Sequence, residues 1–439
     1  MGLLNTLLCI PAVAMLLFTG LRMSISSGWL QVRGLPLAIS SLFAGERRKF
    51  SSVAAVCTIL GGNLGVGNIS GTAIALSSGG PGFIVWMVLI ITVASIIKYA
   101  NCYISTSTRV QAQNGKTFGG AVVYVKHAFG VKWAPCVVAF VTAVCAITVG
   151  NLVQVNSLAI PMSLMDLPPL AAGILVAFAL FFVSALGMNF IAKTVSGMVP
   201  AMVLLYIALC FVVLVKCYDN ILPSLTLILT SFLNLDSLKN GAALAFIAEI
   251  LAVVQVGALR GIFATDIGLG LEGTVHSLVP NECDDKRFVA QQSLISLVSP
   301  FVVAIVAFVT TMVLLTTGVW SDAALESTNM CFTAFTSALG SGYVEYALLG
   351  LMFCFSFTTM LTWLMCSKEA LLYVLGRDAY GKAWTAFFIA IAPLGSVCTV
   401  ALLWDIADLA ISLATIVNTI GMLVVASRYR DMFNVAHLR

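Results

Sequence analysis

Gly61-Gly62-Asn63-Leu64-Gly65-Val66-Gly67-Asn68-Ile69-Ser70-Gly71 lies in the middle of an apolar segment, Val53 to Leu76, that is otherwise of membrane-crossing length. Five glycines and two asparagines in one short run break a helix. In hydrocarbon the freed N–H and C=O groups find no water, so such a break must face protein or a polar cavity. A discontinuous spanning helix with bare carbonyls and amides at mid-depth is how many secondary transporters hold small ions and zwitterions. The stretch therefore predicts a transporter, and it marks where the cargo sits.

The rest of the chain fits that setting. Of 439 residues, 60% are hydrophobic and 9% charged, against about 25% charged in soluble domains, which excludes a soluble globular protein and predicts a polytopic membrane protein embedded in a lipid bilayer. No basic run interleaved with aromatics points to nucleic acid. Leu3 to Gly20 mimics a signal peptide, but it lacks a basic region before the apolar stretch and a cleavage site leading into a soluble domain, so it is read as a first spanning helix. Of the twelve cysteines, Cys57, Cys102, Cys145, Cys210, Cys354, Cys366 and Cys398 lie within apolar stretches, where a thiol acts as a small packing residue. There is no CxxC, and His127, His276 and His437 are scattered, so neither a resident metal nor a cofactor is expected. An integral membrane enzyme would need clustered His, Cys or paired carboxylates at membrane depth, and none is visible.

Eleven apolar runs of spanning length follow one another: Leu3 to Gly20, the broken Val53 to Leu76, Phe83 to Ile104, Trp133 to Ala159, Leu170 to Met188, Val195 to Val215, Ala242 to Gly257, Leu294 to Thr317, Tyr346 to Leu372, Ala386 to Leu403 and Asp405 to Ala426. With the N-terminus outside and the C-terminus inside, every Lys and Arg except Lys216 and Lys239 falls on the cytoplasmic side, Lys98 and Arg260 included. That bias is what positive-inside sorting predicts. The layout is residues 1–50 as an extra helix with a basic loop, then a ten-helix core over 51–439.

Two plainer readings of the glycine stretch compete with this one. Gly65-Val66-Gly67 begins a dinucleotide fingerprint, but Ser70 stands where the third glycine belongs and no strand–turn–helix unit surrounds it. Gly67 to Gly71 is also a GxxxG, which serves close helix packing, yet packing alone leaves Asn63 and Asn68 unexplained. The run Gly65-Val66-Gly67-Asn68-Ile69-Ser70-Gly71, followed by Gly79-Gly80-Pro81-Gly82 and Trp86-Met87, resembles the signature of the alanine or glycine:cation symporters. The likeness extends over almost the whole chain. Gly150-Asn151-Leu152-Val153-Gln154 with Asn156-Ser157 is similar to that family's GNMVQANS, and Arg260-Gly261-Ile262-Phe263 with Gly268 and Gly270 to its RGIFSNEAGLG. Phe355, Phe357, Thr359 and Trp363 resemble its FAFSTILGW helix, and Trp404, Asp408 and Asn418 its final helix.

The resemblance implies an all-α LeuT-type fold of two inverted five-helix repeats, about 51–216 and 241–427, preceded by one extra helix. It also implies a bacterial-type inner membrane and sodium-coupled uptake of alanine, D-alanine or glycine. The mate of the broken helix would be Ala242 to Gly257, a short span with Gly257 and Gly261 at its end. A zwitterion needs donors for its carboxylate and acceptors for its ammonium. The amides of Gly65 and Gly67 and the Asn68 side chain are candidates for the carboxylate, helped by a half-helix N-terminus. Sodium prefers hard oxygens, which makes the carbonyls near Gly61 and Gly62 and the hydroxyls of Thr358 and Thr359 its candidate ligands. By resemblance Gln154 and Asn156 face the cavity and Trp363 caps it, although a tryptophan in a span is often plain packing.

Charged residues within spans need partners. Glu249 is read as a proton or cation site, Asp408 as an interfacial cap, and Arg260 as a cytoplasmic helix end or gate ion pair. The chain departs from the family at Ala264-Thr265-Asp266-Ile267, where SNEA is usual, and at Leu364 to Lys368. Asp266 is thus a further gating or coupling candidate. A carrier of another small solute, or one coupled to protons through Glu249, is the same-fold alternative. A channel would show a repeated filter motif, and none is visible; a non-transporting sensor would bind without uptake.

Overall fold

The computed structural model describes residues 2–43, 51–112, 115–233, 243–280, 286–340, 342–429 and 431–435; residues 2–6, 43, 188–189, 233 and 243–249 are described by backbone alone. The chain opens with a spanning helix, α1 (Gly2–Ser26), and two short helices, α2 (Leu30–Arg33) and α3 (Leu35–Phe43). The decisive stretch follows as two half-helices, α4 (Ser52–Asn63) and α5 (Val66–Gly79), bent by 43° at their junction. Ser51 caps the first half, accepting from the Ala54 amide at 3.2 Å. Gly65 at the junction is extended (φ −82°, ψ 173°), so the helical ladder stops there.

The next helices are α6 (Phe83–Ser107), a two-stranded ribbon of β1 (Val110–Gln111) and β2 (Thr117–Phe118), α7 (Ala121–Phe129) and α8 (Ala134–Ile147). A π-turn over Thr148–Leu152 carries α8 into α9 (Val153–Leu164), making one continuous span. Then come α10 (Pro169–Ala185), α11 (Met188–Lys216), α12 (Ile221–Leu233), α13 (Ala243–Thr265) and α14 (Leu271–Ser277). The chain continues with α15 (Lys286–Ser296) and α16 (Val298–Thr316), together a single span, and with α17 (Thr328–Leu339), α18 (Tyr343–Leu375), α19 (Asp378–Ile391) and α20 (Val400–Ala426). Among the described residues seven helices are long and apolar enough to cross a membrane, and α4–α5 forms an eighth, bent span. At the other expected spans stand two shorter apolar helices, α10 and Ile250–Thr265 of α13, and α19, which runs on into a 3-10 turn (Ala392–Ser396).

The broken pair and α18 are buried at the centre, while α10 and α11 carry the exposed Phe178, Phe181, Phe182, Leu204 and Phe211 of a lipid-facing surface. The cysteines behave as packing residues: Cys57, Cys102, Cys145, Cys210 and Cys366 are buried, and Cys354 and Cys398 half-buried.

Three expectations change. The seventh span does not stop at Gly257 but runs on to Thr265, and its interruption lies at Asp266–Gly270. Gly257 and Gly261 serve packing instead: a Cβ at Gly257 would stand 3.0 Å from the Met87 amide nitrogen of α6. The turn is made by positive φ at Asp266 (54°), Gly268 (89°) and Gly270 (80°). Arg260 therefore sits on the limb before the break, away from the cytoplasmic helix end expected for it. Second, Lys98 lies inside α6 and is fully buried; Arg47, Arg48, Lys49, Lys239, Arg430 and Arg439 lie outside the described residues. Third, the expected span Ala386 to Leu403 is α19 from Asp378 to Ile391, after which Pro393 and Gly395 fall in the 3-10 turn and α20 begins at Val400.

Candidate functional site

The two breaks meet. Asn68, in the first turn of α5, donates through Nδ2 to the Asn63 carbonyl at the end of α4, and lies 3.5 Å from the Ala264 carbonyl at the end of α13. One side chain thus ties together three of the four half-helix ends. Thr359 on α18 donates to the Gly61 carbonyl at 2.8 Å, and Thr362, one turn on, to the Thr58 carbonyl at 3.0 Å. The first of these holds a carbonyl that the break has deprived of its ladder partner, and the second adds a further acceptor contact one turn earlier in α4.

Gln154 reaches the same place from α9. Its Nε2 donates to the Val149 carbonyl in the π-turn at 3.1 Å, which turns the amide toward the break. A Cβ at Gly65 would lie 2.5 Å from Gln154 Oε1 and 2.6 Å from Thr359 Oγ1, and one at Gly67 2.5 Å from the Phe263 ring. Only glycine lets these side chains approach so closely. Ser356 fixes the other end of the contact by donating to the Gln154 carbonyl at 2.7 Å.

Several buried polar atoms around this junction have no protein partner: Asn63 Nδ2, Asn68 Oδ1, Gln154 Oε1 and Trp363 Nε1. They comprise two donors and two acceptors, and unpaired buried groups of this kind call for a ligand or water. The amides in the first turn of α5 add donors and the positive end of a helix dipole. Beside them is a narrow crevice, too tight in this closed arrangement to admit a water molecule, lined by Gly67, Asn68, Gly71, Thr72, Arg260 and Phe263, among others.

One end of the crevice is closed by Arg260. Its Nη2 lies 2.5 Å from Asp408 Oδ1 and also bonds Oδ2. Its guanidinium stands 4.6 Å over the Trp404 ring, and Trp404 stacks on Phe263 with centroids 4.6 Å apart. α17 covers the same limb, with Cys331 Sγ 3.4 Å from the Ile69 carbonyl.

The candidate residues divide accordingly. Gly65, Gly67, Asn68, Gln154, Gly61 and Thr359 come together at the break. Asn156 does not: it donates to the Gly395 and Cys398 carbonyls at 3.1 and 2.8 Å, between α19 and α20. Two positions along a helix turn a side chain about 200° from Gln154, so both cannot face one cavity. Thr358 points to its own helix and to Met202 of α11, one residue and about 100° from Thr359. Gly62 lies within α4, where a Cβ would meet Thr362 at 2.8 Å. Trp363 is wedged against Gly150, its Cγ 2.3 Å from where a Cβ would stand, and does not line the crevice. Asp408 is the partner of Arg260 and Asp266 is buried at the second break with Oδ2 unpartnered. The side chain of Glu249 lies outside the described residues.

Sequence reasoning misses Phe263, Thr362 and Asn63 as site residues. Phe263 was within reach, since it follows Arg260 by three positions on one helix face. Two further buried groups, Lys98 and Glu272, are missed as well, although each is a charge within an otherwise uncharged helix segment.

Residues 1–434 match the family described as the sodium:alanine symporter family. A protein of Haemophilus influenzae described as an uncharacterized transporter is 30% identical over 434 residues, covering 96% of this chain and 93% of its own. The sodium/alanine symporter AgcS of Methanococcus maripaludis is 28% identical over 429 residues, covering 94% and 91%. The crystal structure of MhsT in complex with L-phenylalanine superposes with a TM-score of 0.59 at 14% identity, covering 86% of this chain and 89% of that one; the shared fold is the LeuT type. This chain is an all-helical polytopic membrane protein that belongs to the sodium:alanine symporter family, whose members couple amino-acid transport to sodium.

Proposed function

We propose that this protein imports a small neutral amino acid, alanine, D-alanine or glycine, by sodium-coupled symport with alternating access. The observation that carries this reading is the set of unpartnered donors and acceptors at the paired breaks. The free amides of α5, with Asn63 Nδ2, suit a carboxylate; Asn68 Oδ1 and Gln154 Oε1 suit an ammonium. Phe263 stands against Gly67 as one wall of the crevice, and a bulky ring at that place favours glycine and alanine over branched residues. The Gly61 carbonyl and the Thr359 hydroxyl are hard oxygens fit to share in holding the transported sodium. The name of the Methanococcus relative supports the same cargo.

In this reading the repeats run over about 51–216 and 241–427, each starting with an interrupted helix. The N-terminus lies outside and the C-terminus in the cytoplasm of a bacterial-type inner membrane. The Arg260–Asp408 pair then closes the outer end, and α14 the inner end.

Uptake of labelled alanine into proteoliposomes, with an inward sodium gradient or with potassium in its place, tests the proposal. We expect sodium-dependent accumulation that glycine inhibits and leucine does not. Equal uptake in potassium would remove the sodium coupling, and strong inhibition by leucine would remove the small pocket.

A further inference from the structure

The inner limb of the second broken helix carries an ionisable group for which the amino-acid site has no use. Glu272 is the second residue of α14 and is fully buried. Neither of its carboxylate oxygens makes a close hydrogen bond, nor does Oδ2 of Asp266 at the adjoining hinge; the Asn101 side chain and the Glu272 amide are the donors beside that carboxylate. Lys98, also fully buried, faces them from α6 and is within electrostatic reach of both. Its ammonium is not in ion-pair contact with either carboxylate; it donates to Ser299 Oγ on α16 at 3.3 Å.

The groups facing this cluster from the surrounding elements do not balance it. α6 adds Cys102, α7 adds Tyr124, α8 adds Cys145 and α18 adds Cys366. His276 of α14 is hydrogen-bonded through Nδ1 to Gln292 of α15 at 3.1 Å. Glu369 of α18 is already paired with Lys116 at 3.0 Å. α4 and the buried length of α20 bring no charged side chain here. With Lys98, Glu272 and Asp266 all ionised, the cluster keeps one uncompensated negative charge in a buried place. A buried unpaired charge of that kind is neutralised in practice by taking up a cation.

We propose that Glu272, sharing the load with Asp266, is a proton-binding site. A proton suits it better than a metal cation, because the neighbours that could complete a coordination shell are donors: the Lys98 ammonium and the Asn101 amide, whose Nδ2 is itself unpartnered. In the step itself a hydronium ion gives its proton to a carboxylate oxygen, leaving water and a neutral carboxyl. The reverse step returns the proton to solvent.

The geometry ties this exchange to movement of α14. The limb is pressed on α6 so closely that a Cβ at Gly273 would stand 2.1 Å from Ser105 Oγ. Its connection to α13 runs through three residues of positive φ, Asp266, Gly268 and Gly270. While α14 lies on α6 the carboxylate is sealed from water, and swinging α14 away on that hinge hydrates it. The coupling of protonation to transport rests on the alternating-access reading above; proton binding does not.

Infrared spectroscopy of the lipid-reconstituted protein between about pH 5 and pH 9 tests the site without any substrate. We expect a carbonyl-stretch band of a protonated carboxyl group in the wild type that is lost in Glu272→Gln. A wild type without such a band, or a band that survives in Glu272→Gln, overturns the proposal. If Glu272→Gln does not assemble, Glu272→Gln with Lys98→Gln leaves one fewer charge of each sign and carries the same measurement. In a parallel arm, sodium-driven alanine uptake should vary with pH in the wild type and become flat in Glu272→Gln. An unaltered pH profile there overturns the coupling, whereas absence of wild-type alanine uptake would count against the cargo and leave the infrared result standing.

Discussion

The two buried ionic groups on either side of the junction are built on different principles. At one end Arg260 meets both oxygens of Asp408 and is held over Trp404, so each charge has its counter-charge in contact. At the other end Lys98 bonds a serine, and neither oxygen of Glu272 nor Oδ2 of Asp266 makes a close hydrogen bond. The first arrangement is a closed clasp in which each charge faces its counter-charge, although burial costs both of them hydration. The second is unbalanced as long as all its members are ionised. A clasp of the first kind fixes a conformation, while a cluster of the second kind responds to what binds it.

Charge removal separates the two most strongly. Arg260→Ala leaves Asp408 buried without a partner and should lower stability by about 3–5 kcal/mol, read by thermal unfolding in detergent. The double variant Arg260→Ala with Asp408→Ala should recover part of that loss. Lys98→Met should cost about 1–3 kcal/mol, because the carboxyls left behind can take up protons. If Lys98→Met proved as damaging as Arg260→Ala, the Lys98 cluster would be a clasp as well.

Between the two groups, Phe263→Leu should widen the crevice while keeping an apolar wall. Inhibition of alanine uptake by valine relative to glycine should rise by about tenfold, and an unchanged ratio would mean that Phe263 does not set the size limit. The smallest effect belongs to Asn156→Ala. It removes two hydrogen bonds to the turn between α19 and α20, for about 1–3 kcal/mol in unfolding, with uptake largely kept. Loss of uptake in a stable Asn156→Ala protein would return that residue to the binding site.

How far the sequence carried depended on what kind of signal each feature left. The first break was legible because five glycines and two asparagines within one apolar run cannot continue a helix in hydrocarbon, and Asn68 and Gln154 followed from the motifs around it. The second break was misplaced by several residues. Gly257 and Gly261 attract the eye, but they are glycines of contact, whereas the turn is made by Asp266, Gly268 and Gly270. The position of Arg260 was misjudged for that reason alone. Thr358 and Asn156 were drawn in by their neighbours, although helical geometry turns each of them to a different side from Thr359 and Gln154. Lys98 was counted with the cytoplasmic charges although it falls within the expected span Phe83 to Ile104, and its burial is decided by α14 folding back on α6. That contact joins residues far apart in the chain and has no local signature.

Equilibrium binding of labelled alanine to the purified protein, in sodium and in potassium, with wild type and Asn68→Ala side by side, tests the central claim most directly. We expect saturable binding to the wild type in sodium, little in potassium, and none to a folded Asn68→Ala variant. Wild-type affinity in Asn68→Ala, or binding indifferent to sodium, would contradict the placement of the amino acid and its coupling ion at the paired breaks.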